Sequence, residues 1–403
     1  MRQTSAPPSP GPFARWLRAS VVLMLGLLVA ACAGEQYPQT TIDPVTDFGD
    51  QIHSLYVTVF WWTMLILVVV WVALFWILVK YRAREGAPMP KQIHGHLGLE
   101  IGWTIGPAII VVLIAIPTIQ TVFATQRPLS DDALQVHVVG HRYWWDFYYP
   151  EYDIRTANEL HLPVGRAVTL RLHSNDIIHS FWVPRLGGKR DTNPLVAVRE
   201  GEPRYNYLFF TVDEPGVYMG QCAEFCGEGH SWMGMRVEAH AEGGFEAWVE
   251  EMRRVSERAT GPQASVSSPG ETGLAAPQAQ EDALLEPQAA WEEDPLVTQG
   301  RQVFLQQSYC TLCHAVQTPG PPTVPLGPNL ARLGARSTLG AGLMENNEEN
   351  LIRWIMDPQS MKPGVIMPGV DKGAVGKGGV EYPPTNLTEE QVRALAAYLL
   401  SQK

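Results

Sequence analysis

Two uncharged apolar stretches constrain the fold of this chain more than any other feature. Residues 55–79 and 101–124 contain no charged side chain, and each is long enough to cross a bilayer as a helix. Such a helix pairs its own backbone groups, as the hydrocarbon region requires, and it tolerates Pro107 and Pro117 where neighbouring helices pack against it. The sequence therefore predicts a transmembrane helical hairpin over residues 55–124.

The short loop between the two stretches carries a net positive charge. The charged residues in and beside it are Lys80, Arg82, Arg84, Lys91, Glu85 and Glu100. The positive-inside rule places such a loop in the cytoplasm. Both ends of the chain, including an N-terminal outward segment over residues 32–54, are then predicted on the outer side of a bacterial plasma membrane.

The first residues have the pattern of an export signal. Arg15 and Arg18 precede the apolar run 21–31, and Cys32 follows it directly, which is typical of a secretory signal peptide over residues 1–31. The segment 29–32, Val-Ala-Ala-Cys, resembles a bacterial lipobox, so we predict lipidation of Cys32. The alternative is ordinary cleavage after a small residue, which leaves Cys32 as an unpaired exported thiol.

Soft metal ligands are concentrated in the segment Cys222–Met233, C-A-E-F-C-G-E-G-H-S-W-M. The thiols of Cys222 and Cys226 are followed by the imidazole of His230 and the thioether of Met233. Thiolate, imidazole and thioether together favour copper or another soft metal over hard cations. Structural zinc makes little use of methionine, and a disulfide uses neither histidine nor methionine. The segment, called the copper loop below, therefore predicts a copper site, with zinc and a disulfide as the alternatives.

A second cluster, Cys310-Thr-Leu-Cys313-His314, has the C-x-x-C-H pattern of a covalently attached c-type haem. The two thiols form thioethers to the haem, and His314 becomes the proximal iron ligand. A redox dithiol is the alternative. Met361 and Met367 are candidates for the second axial ligand. Met367 is favoured because a proline follows it directly, as in the small class I cytochromes c that this region resembles.

The remaining sequence predicts two outward domains and a linker, and hence a multi-domain membrane protein. Residues 168–173 and 205–211 alternate apolar and polar side chains, which predicts a small antiparallel β-sandwich within residues 125–255. Residues 256–294 are rich in alanine, proline, glutamine and acidic side chains and predict a flexible acidic linker. Residues 295–403 are predicted to form an all-α haem domain. Its helices are expected over 295–307, over 348–356 and from Leu387 onwards.

The segment 179–184, H-S-F-W-V-P, followed by the copper loop, resembles subunit II of the haem-copper cytochrome c oxidases. In that family these positions hold a dinuclear copper centre called CuA, on a domain with the cupredoxin fold. The ligands implied for two copper ions are His179, Cys222, Cys226, His230 and Met233 through their side chains, and Glu224 through its backbone carbonyl. The resemblance also implies a magnesium ion, shared with subunit I, at the Glu224 carboxylate.

Two further positions acquire roles from the same resemblance. Glu100 matches a glutamate at the mouth of a proton pathway into subunit I, although it could simply mark the cytoplasmic end of a helix. Tyr143, in His-Arg-Tyr-Trp-Trp, matches the aromatic residue at which electrons enter from soluble cytochrome c. That position is commonly tryptophan in the family. The difference disfavours docking of an external cytochrome c at the copper domain and fits a chain that carries its own haem donor.

With its C-terminal haem domain, the chain resembles subunit II of the caa-type oxidases. The implied electron path runs from a soluble or membrane cytochrome c, or another donor, to haem c. It continues through the copper centre to haem in subunit I, where oxygen is reduced with proton translocation. Subunits I and III are the implied partners. The alternatives are the inlet subunit of a copper-containing nitric oxide reductase and a free-standing tethered electron carrier, which would not need two spans. A quinol oxidase subunit would need no copper ligands, and the net charge of −11 disfavours nucleic acid as a partner.

Overall fold

The computed structural model describes most of the chain. The described ranges are 37–82, 94–128, 130–194, 205–260, 294–316 and 326–403, with a few isolated residues besides. Most of the predicted signal peptide, Cys32 and most of the predicted linker lie outside the described residues, so those expectations stay predictions. The described part contains a helical hairpin, a two-sheet β domain and a mainly helical C-terminal domain, in the order expected from the sequence.

The hairpin consists of helices α1 (Asp47–Lys80) and α2 (Leu97–Ala124). Both are long and apolar enough to cross a membrane, and most of their apolar side chains are exposed, as at Trp71 and Ile109. An exposed apolar surface of this extent is stable only in lipid or against another protein. The structure therefore agrees with two predicted spans.

Helix α1 begins at Asp47, well before the apolar stretch that predicted it. The Thr46 hydroxyl accepts a hydrogen bond from the Gly49 N–H at 2.9 Å and donates one to the Leu186 carbonyl at 2.6 Å. The Asp47 carboxylate accepts from the Thr211 N–H at 2.7 Å. The first turn of α1 is therefore built into the β domain, which an apolar pattern starting at residue 55 could not indicate.

The β domain is a sandwich of two five-stranded sheets with the orders β3-β2-β1-β5-β8 and β4-β10-β9-β6-β7. The strands are β1 (Leu134–His141), β2 (Trp144–Tyr149), β3 (Ile154–Ala157), β4 (Glu159–Pro163), β5 (Ala167–Ser174), β6 (His179–Trp182), β7 (Arg190–Thr192), β8 (Asn206–Thr211), β9 (Gly216–Cys222) and β10 (Gly234–His240). The pairs β1–β5 and β4–β10 are parallel, so the prediction of an antiparallel sandwich is wrong for these two pairs. Alternation of side chains indicates which face is buried, and it carries no information on strand direction.

Aromatic side chains fill the space between the two sheets. Trp145 on β2 is fully buried and meets the ring of Phe181 on β6 edge to face, with centroids 5.7 Å apart. Helix α3 (Gly244–Thr260) covers one end of the sandwich by packing Trp248 on Tyr149, at 5.2 Å between centroids. This core holds β6 rigidly beside β9, the strand that leads into the copper loop.

The C-terminal domain packs short helices around two small hairpins. Its elements are α4 (Pro295–Gln302), a π-helical turn (Val303–Gln307), α5 (Cys310–Cys313), α6 (Glu348–Met356), α7 (Pro358–Met361), α8 (Glu389–Ser401) and the strands β11 (Thr338–Leu339), β12 (Met344–Glu345), β13 (Ala374–Val375) and β14 (Glu381–Tyr382). Helix α4 crosses α8 so closely that a Cβ at Gly300 would lie 1.9 Å from the Ala394 carbonyl oxygen. Helix α6 has the predicted bounds, and Thr388 caps α8 in a capping box with Gln391.

The contact between α1 and the β domain gives a stability prediction. Gly187 has φ 131°, and a Cβ there would lie 2.4 Å from Phe48 Cδ1. Gly165 also has a positive φ, of 79°, but no atom lies near its Cβ position. We expect Gly187→Ala to lower the free energy of unfolding by about 2 kcal/mol more than Gly165→Ala, because only the first forces Phe48 to move. Denaturant unfolding of the detergent-purified chain measures the difference, and equal losses would contradict it.

Candidate metal and haem centres

The copper loop is closed at its base by two paired strands. Strand β9 ends at Cys222, β10 begins at Gly234, and the two run antiparallel. The Cys222 N–H donates to the Met233 carbonyl at 2.9 Å. Gly227, with φ 116°, takes a backbone conformation that side chains with a Cβ rarely adopt. The loop must therefore fold back over the end of the sheet, which brings its ligand side chains together.

The side chains predicted as copper ligands converge. The sulfur atoms of Cys222 and Cys226 are 3.9 Å apart, too far for a disulfide, whose sulfurs lie about 2.05 Å apart. The His179 Nδ1 lies 3.9 Å from the Cys222 sulfur, and the His230 Nδ1 lies 3.7 Å from the Cys226 sulfur. The Met233 sulfur is 4.0 Å from that of Cys226. Each imidazole thus faces a different thiol.

This set of donors fits a soft metal centre. A metal–thiolate bond of about 2.3 Å allows one ion to bind both sulfurs when they are less than about 4.6 Å apart, as these are. Cys222, Cys226 and Met233 are buried, which excludes water from the sulfur atoms. The Glu224 carbonyl oxygen lies 3.2 Å from the Cys222 sulfur, as expected for a backbone ligand. In the described part of the chain, the Glu224 carboxylate joins no group of three ligating side chains.

Asp176 is a site residue that the sequence reasoning missed. Its carboxylate accepts a hydrogen bond from His179 Nε2 at 2.8 Å, which leaves Nδ1 facing the Cys222 sulfur. Burial by itself would raise the pKa of Asp176. Hydrogen bonds from His179 and from the Ile177 and Arg142 N–H groups outweigh that effect and lower the pKa to about 2. Asp176 therefore stays ionised and orients the imidazole. Its only sequence signal is an acid three residues before the histidine.

Tyr143 lies between the copper loop and the C-terminal domain. Its side chain is only 5% exposed. A Cβ at Gly229 of the copper loop would lie 2.2 Å from Tyr143 Cδ2, and a Cβ at Gly364 of the C-terminal domain would lie 2.9 Å from Tyr143 Cε2. The ring thus contacts both domains. At 5% exposure, little of it is left for a second protein.

The C-x-x-C-H residues line an apolar cavity of about 320 Å³. The His314 Nδ1 donates to the Pro328 carbonyl at 2.8 Å, which leaves Nε2 free for an iron ion. Met367 is among the lining residues that the structure describes, and Met361 is not. Apolar walls come from side chains that include Phe304, Leu330, Ile355, Leu395 and Leu399. Two thiols, an imidazole and a thioether around an apolar cavity fit a haem, and Tyr143 and Trp144 of the β domain close one side.

Comparisons with known families match the three parts of the chain. The family model for the periplasmic domain of cytochrome c oxidase subunit II matches residues 153–240, and the model for its transmembrane domain matches residues 39–121. The cytochrome c model matches residues 297–403. The first model implies copper and the third implies haem. Together they confirm the predicted architecture of a membrane hairpin, a cupredoxin-like domain and a cytochrome c domain.

Individual proteins are similar over different lengths. Cytochrome c oxidase subunit 2 of Alkalihalophilus pseudofirmus is 36% identical over 397 residues, which covers 96% of this chain and 98% of that protein. Quinol oxidase subunit 2 of Bacillus spizizenii is 31% identical, and the match covers 61% of this chain and 76% of that protein. The crystal structure of the periplasmic domain of subunit II from Bradyrhizobium japonicum is 26% identical, with a TM-score of 0.27, over 30% of this chain and 94% of that one.

The hydrogen bond from His179 to Asp176 gives a prediction on metal retention. We expect Asp176→Ala to weaken copper binding about 10- to 100-fold, because the imidazole loses the partner that holds its ring in place. Competition with a copper chelator, followed through the absorbance of the copper centre, measures the change. Asp131→Ala removes an exposed carboxylate of the same domain and serves as the control. Equal retention in both variants would rule out an orienting role for Asp176.

Proposed function

Because the chain belongs to the family of cytochrome c oxidase subunit II, we propose that it is the electron-inlet subunit of a caa-type terminal oxidase. In this role the chain would hold a covalent haem c and a dinuclear copper centre, which would supply the one-electron steps between an outside donor and haem in subunit I. Oxygen would be reduced to water in subunit I, with proton translocation. The observation that carries the proposal is the position of Tyr143, in contact with both the copper loop and the haem domain.

The copper loop is proposed to hold two copper ions. The thiolates of Cys222 and Cys226 lie at the centre of the ligand set, 3.9 Å apart. The remaining ligands are His179, His230, Met233 and the backbone carbonyl of Glu224. A dinuclear centre held by these residues would supply one-electron transfer with little change of charge at either metal. This chain's own contribution is rigidity, because Asp176 and the paired strands hold the ligands in place before any electron arrives.

The haem is proposed to be attached through thioethers to Cys310 and Cys313. His314 would hold the iron through Nε2, because its Nδ1–H donates to the Pro328 carbonyl. Met367, which lines the cavity, would hold the iron through its thioether sulfur. A thioether ligand raises the reduction potential of a haem into the range of an electron carrier.

Tyr143 is proposed as the entry point to the copper centre for electrons from the chain's own haem. It is buried, so an external cytochrome c cannot dock on it directly. A soluble or membrane-bound donor then has to deliver electrons to the haem domain. The presence of tyrosine where the family commonly has tryptophan also supports this proposal.

Several further roles are part of the proposal. Glu100, exposed in the first turn of α2, is a candidate for proton entry, and its carboxylate also accepts a hydrogen bond from the His96 N–H at 3.3 Å. A magnesium ion at the Glu224 carboxylate would need its other ligands from subunit I. The chain is placed in a bacterial plasma membrane with both outward domains on the external side, beside subunits I and III.

Oxygen consumption tests the proposal. The complex, purified through a C-terminal tag and supplied with a reduced small-molecule donor, is expected to consume oxygen in a cyanide-sensitive reaction. A Cys222→Ser complex should still accept electrons at the haem but lose at least nine-tenths of its oxygen uptake, because the copper centre is interrupted. A copper- and haem-loaded complex that reduces nitric oxide and leaves oxygen untouched would favour a nitric oxide reductase. A chain that purifies without a larger haem protein would favour a free-standing carrier.

The two candidate axial methionines can be separated by a matched pair of variants. We expect Met367→Ala to abolish the low-spin His/Met spectrum of the haem and to lower its reduction potential, because the thioether ligand is lost. Met361→Ala is expected to leave both unchanged. Absorption spectra and a redox titration of the purified chain measure the effects. A low-spin His/Met spectrum that survives in Met367→Ala would transfer the ligand role to Met361.

A further inference from the structure

A buried lysine connects the haem domain to the copper domain. Lys362 is only 2% exposed. Its ammonium donates to the Tyr143 carbonyl at 2.6 Å and to the Gly340 carbonyl at 2.8 Å. Tyr143 belongs to the β domain, whereas Lys362 and Gly340 belong to the haem domain. One side chain thus joins the backbones of both domains at the residue proposed as the electron entry point.

The Lys362 hydrogen bonds link the stability of this contact to the docking of the haem domain on the β domain. Removing an ammonium group from water is costly unless hydrogen bonds replace its hydration, and two of its three donors have carbonyl partners here. No ion pair found in the described residues includes Lys362. The Tyr143 carbonyl is available to this lysine only when the two domains lie together. The hydrogen bonds therefore favour that arrangement over a separated one.

Close backbone contacts surround the lysine. A Cβ at Gly234 of the β domain would lie 2.6 Å from the Ala341 carbonyl oxygen of the haem domain. At the edge of the same interface, the Ser337 N–H donates to the Glu159 carboxylate at 3.4 Å. With Gly364 against the Tyr143 ring, the contacts involve two haem-domain segments, 337–341 and 362–364. Lys362 links these two segments through Gly340.

We propose that Lys362 is the positioning residue that holds the haem domain on the copper domain, with Tyr143 between them. The proposal rests on the proposed function, since it concerns electron transfer from haem to copper. In that role the lysine carries no electron, and its side chain also lines the haem cavity beside Met367. It fixes the distance between the two redox sites by bonding the backbone of the residue that separates them.

The test uses the purified complex and compares Lys362→Met with Lys372→Met. Methionine keeps much of the volume of the lysine side chain and removes its hydrogen-bond donors. Lys372, an exposed lysine of the same domain, is the control position. After rapid photoreduction of the haem, we expect electron transfer to copper to be at least tenfold slower in Lys362→Met, because a small misplacement of redox partners has a large effect on rate. Lys372→Met should transfer at the rate of the unchanged complex.

A second readout reports docking independently of activity. Hydrogen–deuterium exchange of the full chain should increase in Lys362→Met at residues 140–145 and 338–343, while α8 keeps its protection. The low-spin His/Met spectrum of the haem and the absorbance of the copper centre should stay unchanged. That combination distinguishes a lost contact between domains from a damaged haem domain.

The outcomes distinguish failure of the proposed function from failure of the role proposed for Lys362. If the unchanged complex transfers no electron from haem to copper, the proposed function fails. If the unchanged complex does transfer the electron, and Lys362→Met transfers it equally fast with unchanged hydrogen–deuterium exchange, the role of Lys362 is overturned and the proposed function stands. Lys362→Gln, which keeps one amide donor group, is the second variant should Lys362→Met fail to bind haem. Loss of haem in both would show that Lys362 serves the haem domain internally, which also overturns the proposal.

Discussion

The pairing of β9 with β10 is the constraint on which the metal centre depends. These strands close the copper loop with a hydrogen bond between Cys222 and Met233, and β6 adds His179 beside them, because Phe181 pairs with Cys222. Three neighbouring strands therefore deliver ligands from two distant parts of the chain to one end of a sheet. The aromatic core around Trp145 keeps those strands from moving relative to one another. The ligand geometry is thus a property of the sandwich as a whole.

The haem domain completes the environment of this centre. Tyr143 follows the end of β1 by two residues, and its ring contacts both the copper loop and Gly364 of the haem domain. The haem cavity opens onto the same residue and onto Trp144. In the proposed function, a diffusible donor cannot reach the copper centre through Tyr143, and the attached domain takes its place. Placing the donor on the same chain keeps its effective concentration independent of the supply of soluble protein.

Sequence reasoning succeeded where the signal lay within a short segment of the chain. The two spans, helix α6 and the convergence of Cys222, Cys226 and His230 follow from patterns within a few dozen residues. His179 needed a family resemblance, because forty residues separate it from the copper loop. Asp176 and Lys362 were missed because a carboxylate or an ammonium acquires its role only from the partner that the fold supplies. Lys362 meets a carbonyl 219 positions away. The parallel strand pairs were missed because alternation does not encode direction.

The junction of α1 with the β domain has a mechanical consequence. Because the first helical turn is bonded to Leu186 and Thr211, the helix and the sandwich move as one body, without a hinge at the membrane surface. An α-helix rises about 1.5 Å and turns about 100° per residue. The height and the azimuth of the copper loop above the bilayer are therefore set by how many residues α1 contains. Insertion of one residue between Gly49 and the apolar stretch would rotate the β domain and the haem domain by about 100° around the axis of α1.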